Sequence, residues 1–301
     1  MGTAGSGLRR NRWVVRSRRA ALALAIAAGL ALGACPAAWA VEPGIEHAVT
    51  PASLGLEAED VSFPARDSTT VSGWWLQGAK AAPVVVIASR GTGTMGDMLP
   101  AAQQFLARGF SVLTFDYRGF GPGSSAEAVD SLRYIIFDSR WVDDLMGALR
   151  YARARGGSHV FAWGQDLGSA VVIAAVGRRK GVCDAVAVEG LFRTSQEALN
   201  ANGTAVIREV VVRHRRLVQT RDEPISAGTR MGTPLLVVLA GKDEVTPPAA
   251  TKTIFEQSRA PMETWEIPGA AHLGAEKTPG YFDRVAGWFK RWTAFPPGGR
   301  R

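Results

Sequence analysis

Residues 159–178 read HVFAWGQDLGSAVVIAAVGR, and this stretch decides the fold. His159–Trp163 is a short apolar run of strand type. Gly164-Gln165-Asp166-Leu167-Gly168 follows, with two glycines that let the chain turn sharply. The helical pattern of residues 167–178 comes directly after. A strand, a tight turn and a helix in succession form the repeating unit of an α/β protein.

The same rhythm extends in both directions. Strand candidates are VSFPA (61–65), TVSGWWL (70–76), PVVVIAS (83–89), FSVLTFD (110–116), HVFAW (159–163), CDAVAVE (183–189), PLLVVLA (234–240) and METWEI (262–267). Helical patterns lie near 97–108, 139–154, 167–178, 248–258 and 280–293. The first two strands have no helix between them and predict a hairpin. The later ones are nearly continuous apolar runs, as in a parallel sheet covered on both faces. The expected fold is α/β, a mostly parallel eight-stranded sheet with helices on both faces. Residues 193–230 interrupt the rhythm with an amphipathic basic stretch, AVIREVVVRHRRLVQ. They read as a small helical cap, with Val206, Val210 and Leu217 facing the pocket or core and Arg208, Arg213, Arg215 and Arg216 solvated.

The chain has 301 residues, is 47% hydrophobic and 21% charged, and carries a net charge of +8. That composition excludes disorder, collagen and coiled coil. The charge suggests nucleic acid only until it is located. Six arginines and no acid lie in residues 1–40; the remainder holds 29 basic and 27 acidic residues, a net charge of only +2. No nucleic-acid partner is expected. Arg9–Arg19 instead form the basic start of an export signal, and Ala20–Ala34 is an uncharged run of signal-peptide length. Two exits follow. Ala38-Trp39-Ala40 fits a small-x-small cleavage site, leaving a leader from Val41 to Leu56 and a domain over 57–301. Leu32-Gly33-Ala34-Cys35 resembles a lipobox, which would make Cys35 a lipid anchor. The expected location is outside the cytoplasm, periplasmic or membrane-anchored. The two cysteines, Cys35 and Cys183, leave no disulfide framework, and Cys183 reads as a buried strand residue. No Cys/His group has metal-ligand spacing.

Gly91-x-Gly93-x-x-Gly96 follows a strand and precedes a helix, and Asp116 ends the next strand. By spacing this is a dinucleotide fingerprint, with an acid placed for a ribose. Two strands precede it, however, and the reading leaves Asp116-Tyr117-Arg118-Gly119-Phe120-Gly121 without a purpose.

Four segments in chain order together resemble the α/β-hydrolase fold, most closely its serine aminopeptidase-like branch. Ser89-Arg90-Gly91-Thr92-Gly93 stands where such proteins carry the oxyanion loop, with Arg90 replacing a usual histidine. Asp116–Gly121 matches the DYRGxG turn of that branch. Gly164–Gly168 matches the nucleophile elbow, G-x-Nu-x-G. Gly241-Lys242-Asp243-Glu244 and Gly269-Ala270-Ala271-His272 stand where the triad acid and histidine are kept. The resemblance implies Asp166, Asp243 and His272 as the catalytic set, and Leu167, Thr92 and Arg90 as oxyanion or substrate contacts. It also implies a small-molecule substrate and no cofactor. The nucleophile position holds Asp, as in haloalkane dehalogenases and epoxide hydrolases, where a carboxylate attacks a saturated carbon and a histidine-activated water cleaves the ester. Their helper groups are missing: Leu167 replaces a halide-binding Trp, and 193–230 contains no Tyr or Trp. Three readings stay open: a hydrolase with an Asp nucleophile, a non-catalytic binding protein on a hydrolase fold, and a dinucleotide-dependent oxidoreductase. For the first, the helix N-terminus after Asp166 is expected to keep its pKa low.

Overall fold

The computed structural model describes residues 41–125, 136–201 and 217–298. Residues 1–40, with both export readings, lie outside the described residues. So does 202–216, which carries Val206, Val210 and the four arginines of the cap reading.

The strands are β1 (Glu42–Pro43), β2 (Glu59–Pro64), β3 (Thr70–Leu76), β4 (Val84–Ala88), β5 (Thr92–Gly93), β6 (Ser111–Phe115), β7 (Val160–Gln165), β8 (Ala185–Glu189), β9 (Leu235–Ala240) and β10 (Met262–Ile267). The α-helices are α1 (Leu99–Leu106), α2 (Ser139–Ala154), α3 (Leu167–Arg178), α4 (Ser195–Ala201), α5 (Pro224–Gly228), α6 (Pro248–Thr253) and α7 (Tyr281–Trp292). Eight strands form one sheet in the order β10-β9-β8-β7-β4-β6-β3-β2. The β2–β3 hairpin is antiparallel and joins β6 antiparallel; all other neighbours are parallel. All eight strands and five helices expected from the sequence are present, α6 ending five residues early.

Position in the sheet explains each strand's composition. The central β4 (VVVIA) and β7 are buried at every residue, because helices cover both faces. The edge strand β10 (METWEI) alternates between exposed and half-buried. Val85, Ile87, Phe161 and Trp163 point into one layer with Phe105 of α1 and Phe289 of α7. There Phe161 stacks on Phe289 at 4.8 Å. Helices α2 and α3 pack together on the sheet's other side. Cys183 is buried just ahead of β8, and burial pushes its thiol pKa well above the ordinary value.

The leader carries structure that its Pro/Gly-bearing composition did not announce. β1 pairs in parallel with β5, joining Glu42 N–H to Gly91 O at 3.0 Å and Gly44 N–H to Gly93 O at 2.8 Å. It forms a strap over residues 91–96. The described ends of the cap segment are α4, a single turn at Thr220–Asp222, and α5. The last two pack on the C-terminal half of α3, where Gly177 meets Ala227. The returning half of 193–230 thus belongs to the helical layer rather than lying over Asp166.

Candidate active site

The elbow is strained where the sequence places its glycines. Asp166 has φ 52° and ψ −120°, in the left-handed region that a residue with a Cβ adopts at a cost of about 1–3 kcal/mol. Neighbouring contacts hold it there. Its N–H donates to Glu189 O at 2.9 Å, and its carbonyl accepts from Ser169 N–H at 3.0 Å. A Cβ on Gly164 would stand 2.6 Å from the Gly168 backbone, and one on Gly168 would stand 2.2 Å from Ala88 O. Only glycines let β7, the turn and the first turn of α3 approach β4 so closely. Ser169, the nearest serine, is fully buried; its hydroxyl lies 2.8 Å from Gly164 O and 2.7 Å from Glu189 O, a structural role.

Asp243 follows β9 and His272 follows β10, so adjacent strand ends bring them together. His272 Nδ1 lies 2.9 Å from Asp243 Oδ2 and 3.2 Å from Oδ1. The carboxylate also accepts from Thr246 N–H at 2.7 Å and from its hydroxyl at 2.6 Å. Lys242 N–H to Ala270 O ties the two loops at 2.8 Å. Burial pushes the Asp243 pKa up, but the bonds from His272 and Thr246 outweigh it and hold it below the ordinary value. Burial lowers the His272 pKa, and Asp243, then Asp166, more than reverse this. A Cβ on Gly190 would lie 3.3 Å from the His272 ring and 3.5 Å from Asp166 N, so β8 ends between the two groups.

Asp166 does not keep a low pKa. Burial pushes it up to about 7; His272 and Arg90 pull it back, and Asp243 adds to the rise. The expectation from the helix N-terminus fails because Asp166 is only 8% exposed and desolvation outweighs a partial helix charge. Arg90 is not clamped onto Asp166. Its Nη2 lies 3.7 Å from Glu276 Oε1, and its buried Nε has no hydrogen-bond partner among the described residues. Leu167 is buried, with its side chain under Gly91, where a Cβ would lie 2.7 Å from Leu167 Cδ2. Thr92 is exposed in β5.

The structure adds a buried carboxyl that the motifs did not include. Glu189, the last residue of β8, accepts from Gln165 Nε2 and from the Tyr281 hydroxyl, each at 3.0 Å, and from Ala275 N–H at 3.1 Å. Gln165 also reaches Glu276 at 3.1 Å. This cluster holds the loop after His272 to the elbow. Its sequence signal is an acid ending the apolar strand AVAVE, which demands buried partners.

The dinucleotide reading is opposed by what packs on the glycine loop. A Cβ on Gly96 would strike Val49 O at 2.2 Å, and one on Gly93 would strike Asp97 at 2.0 Å. Asp116 is engaged as well, accepting from Met95 N–H at 2.7 Å and lying 2.7 Å from His47 Nε2. Asp116 is thus engaged within the protein and the strap packs on the loop, which speaks against the dinucleotide reading. Arg118 joins Asp67 to buried Asp144, which fixes the turn that follows. A cavity of about 660 Å³ beside His47, Trp74 and Asp116 lies two strands from Asp166. Among the described residues no group of three or more His, Cys, Asp or Glu could hold a metal ion.

Comparison with known proteins agrees with this geometry. Residues 79–224 match the family model described as Serine aminopeptidase, S33. The uncharacterized protein YfhR of Escherichia coli K12 is 25% identical over 232 residues, 72% of this chain and 74% of that one. Protein bem46 of Schizosaccharomyces pombe is 22% identical over 249 residues, 80% and 79% of the two chains. The solved structure of the Pyrococcus furiosus esterase Pf2001 superposes with a TM-score of 0.68 at 18% identity, covering 85% of this chain and 98% of that one. The chain has the fold of the α/β-hydrolases, and its residues 79–224 resemble their serine aminopeptidase-like branch.

Proposed function

We propose that the protein is an exported hydrolase that uses Asp166 as its nucleophile. The observation that carries this is the strained elbow, which presents a carboxyl beside an intact His272–Asp243 pair. Ionised Asp166 attacks a saturated carbon bearing a leaving group. A carbon–oxygen bond forms, the leaving group departs with its electron pair, and an alkyl ester remains on Asp166. Neutral His272 then takes a proton from water, which attacks the ester carbonyl; the product alcohol leaves and the carboxylate returns. Asp243 fixes the tautomer and stabilises the imidazolium. In this reading Leu167 N–H and the loop at Thr92 donate to the developing oxyanion, and Arg90 supplies a positive charge to the departing anion. An acyl substrate suits this nucleophile poorly, because attack on it would give an anhydride.

One observation favours a second reading, a binding protein on a hydrolase fold. With a pKa of about 7, Asp166 is only partly ionised at neutral pH.

A single turnover in heavy-oxygen water, with a bromoalkane or a terminal epoxide as probe, separates the two. The hydrolase should carry label in the Asp166 carboxyl, because water attacks at the enzyme's own carbon. His272→Ala should accumulate the ester, visible as a mass increase on the Asp166 peptide. Absence of both label and adduct across these probes favours the binding protein.

A further inference from the structure

At the far end of α3 from Asp166, a cavity of about 400 Å³ is lined by five arginines: Arg66, Arg178, Arg179, Arg221 and Arg230. Helix α3 separates it from the elbow by about 18 Å along its axis. Two carboxylates stand among these cations, and Arg178 engages both. It donates from Nε and Nη2 to Asp222 at 2.7 and 2.6 Å, and from Nη1 to Asp143 at 2.8 Å. Asp222 is fully buried and Arg178 nearly so, which makes this a rigid floor. The other arginines keep donors to spare. Arg66 lies 3.6 Å from Asp143, and Arg221 lies 3.9 Å from Asp222, both beyond hydrogen-bond length. Arg179 is exposed and makes no side-chain hydrogen bond or ion pair among the described residues. Arg230 is held in place by the carbonyls of Ser226 and Arg221.

Five cations around two carboxylates leave three positive charges facing one concavity. Four of the five are exposed, so water screens their repulsion, but their spare guanidinium forks match the paired oxygens of a phosphate. We infer that this cavity is a binding site for a multiply charged phosphate group, separate from the hydrolase site. The group is either a soluble phosphate ester or the headgroup of an anionic lipid.

Inorganic pyrophosphate titrated into the full chain in a calorimeter is the first test. Saturable one-to-one binding is expected, weakening as salt rises and weakening about tenfold or more in the Arg179→Gln/Arg221→Gln double variant. Neither side chain is buried in an ion pair, so the double variant should keep the parent's melting temperature. Arg259→Gln, in the exposed turn before β10, should bind as the parent does. Co-sedimentation with phosphatidic acid vesicles, whose headgroup is a phosphomonoester, but not with phosphatidylcholine vesicles, reversed by pyrophosphate, assigns the site to a lipid headgroup. Pyrophosphate binding without vesicle capture assigns it to a soluble ester. No pyrophosphate binding at low salt, or binding that the double variant leaves unchanged, overturns the inference.

Discussion

At Asp166 the fold opposes the charge that the proposed chemistry requires. Its pKa in the protein is about 7, against 3.8 when free, so between these values the folded state binds more protons than the unfolded state. Stability therefore falls as pH rises across that window. Asp166→Asn removes this titration. Its stability relative to the parent should rise by about 2–4 kcal/mol from pH 4 to pH 8 in urea denaturation. A difference that stays flat with pH would show that the carboxyl ionises freely. Activity runs the opposite way: kcat/KM should climb through about pH 7, because the nucleophile must be ionised and His272 must be neutral. Asp166→Ser tests the rest of the machinery. With His272 and Asp243 in place, this variant should acquire hydrolysis of p-nitrophenyl acetate well above the parent, and an inert variant would mean that the oxyanion donors are not in position. Asp166, Asp243 and His272 could be picked out of the sequence because each sits in a short glycine-marked turn. Glu189 showed only as an acid ending an apolar strand, since its partners Gln165, Tyr281 and Ala275 converge from three separate elements.

Among the elements, the junction of β7 and α3 leaves the least room for change. Gly168→Ala would drive a methyl group into Ala88 O, a backbone atom that cannot rotate away. A loss of about 2–4 kcal/mol is expected in urea denaturation, against a gain of about 0.5–1 kcal/mol for Gly287→Ala, an open position in α7. The strap is the second sensitive element. His47→Ala removes one of the two partners of buried Asp116 and should cost about 1–3 kcal/mol, read by thermal or urea unfolding. Strands and helices were legible because their apolar runs follow periods of 2 and 3.6 residues. The strap was not, because two residues of β1 carry no period and their partner lies some fifty positions downstream. The glycine loop misled for a related reason. Its spacing matches a phosphate turn, yet its open side is filled by Val49, from the same strap.

For the whole molecule, the strap bears on the proposed export. Processing after Ala40 would leave Val41, buried at 3% exposure, as the first residue before β1. Mass spectrometry of protein from its native host should therefore find a chain starting at Val41, or a lipid-modified one starting at Cys35; an intact cytosolic chain from Met1 would refute the proposed export. Cys183 turns the same question into a count of thiols. Both processing routes remove or acylate the other cysteine, so a fully denatured mature chain should titrate with a disulfide reagent as one thiol, and a precursor as two. In the native state the Cys183 thiol is sealed ahead of a central strand, and its rate of labelling becomes a clock for the opening of the sheet.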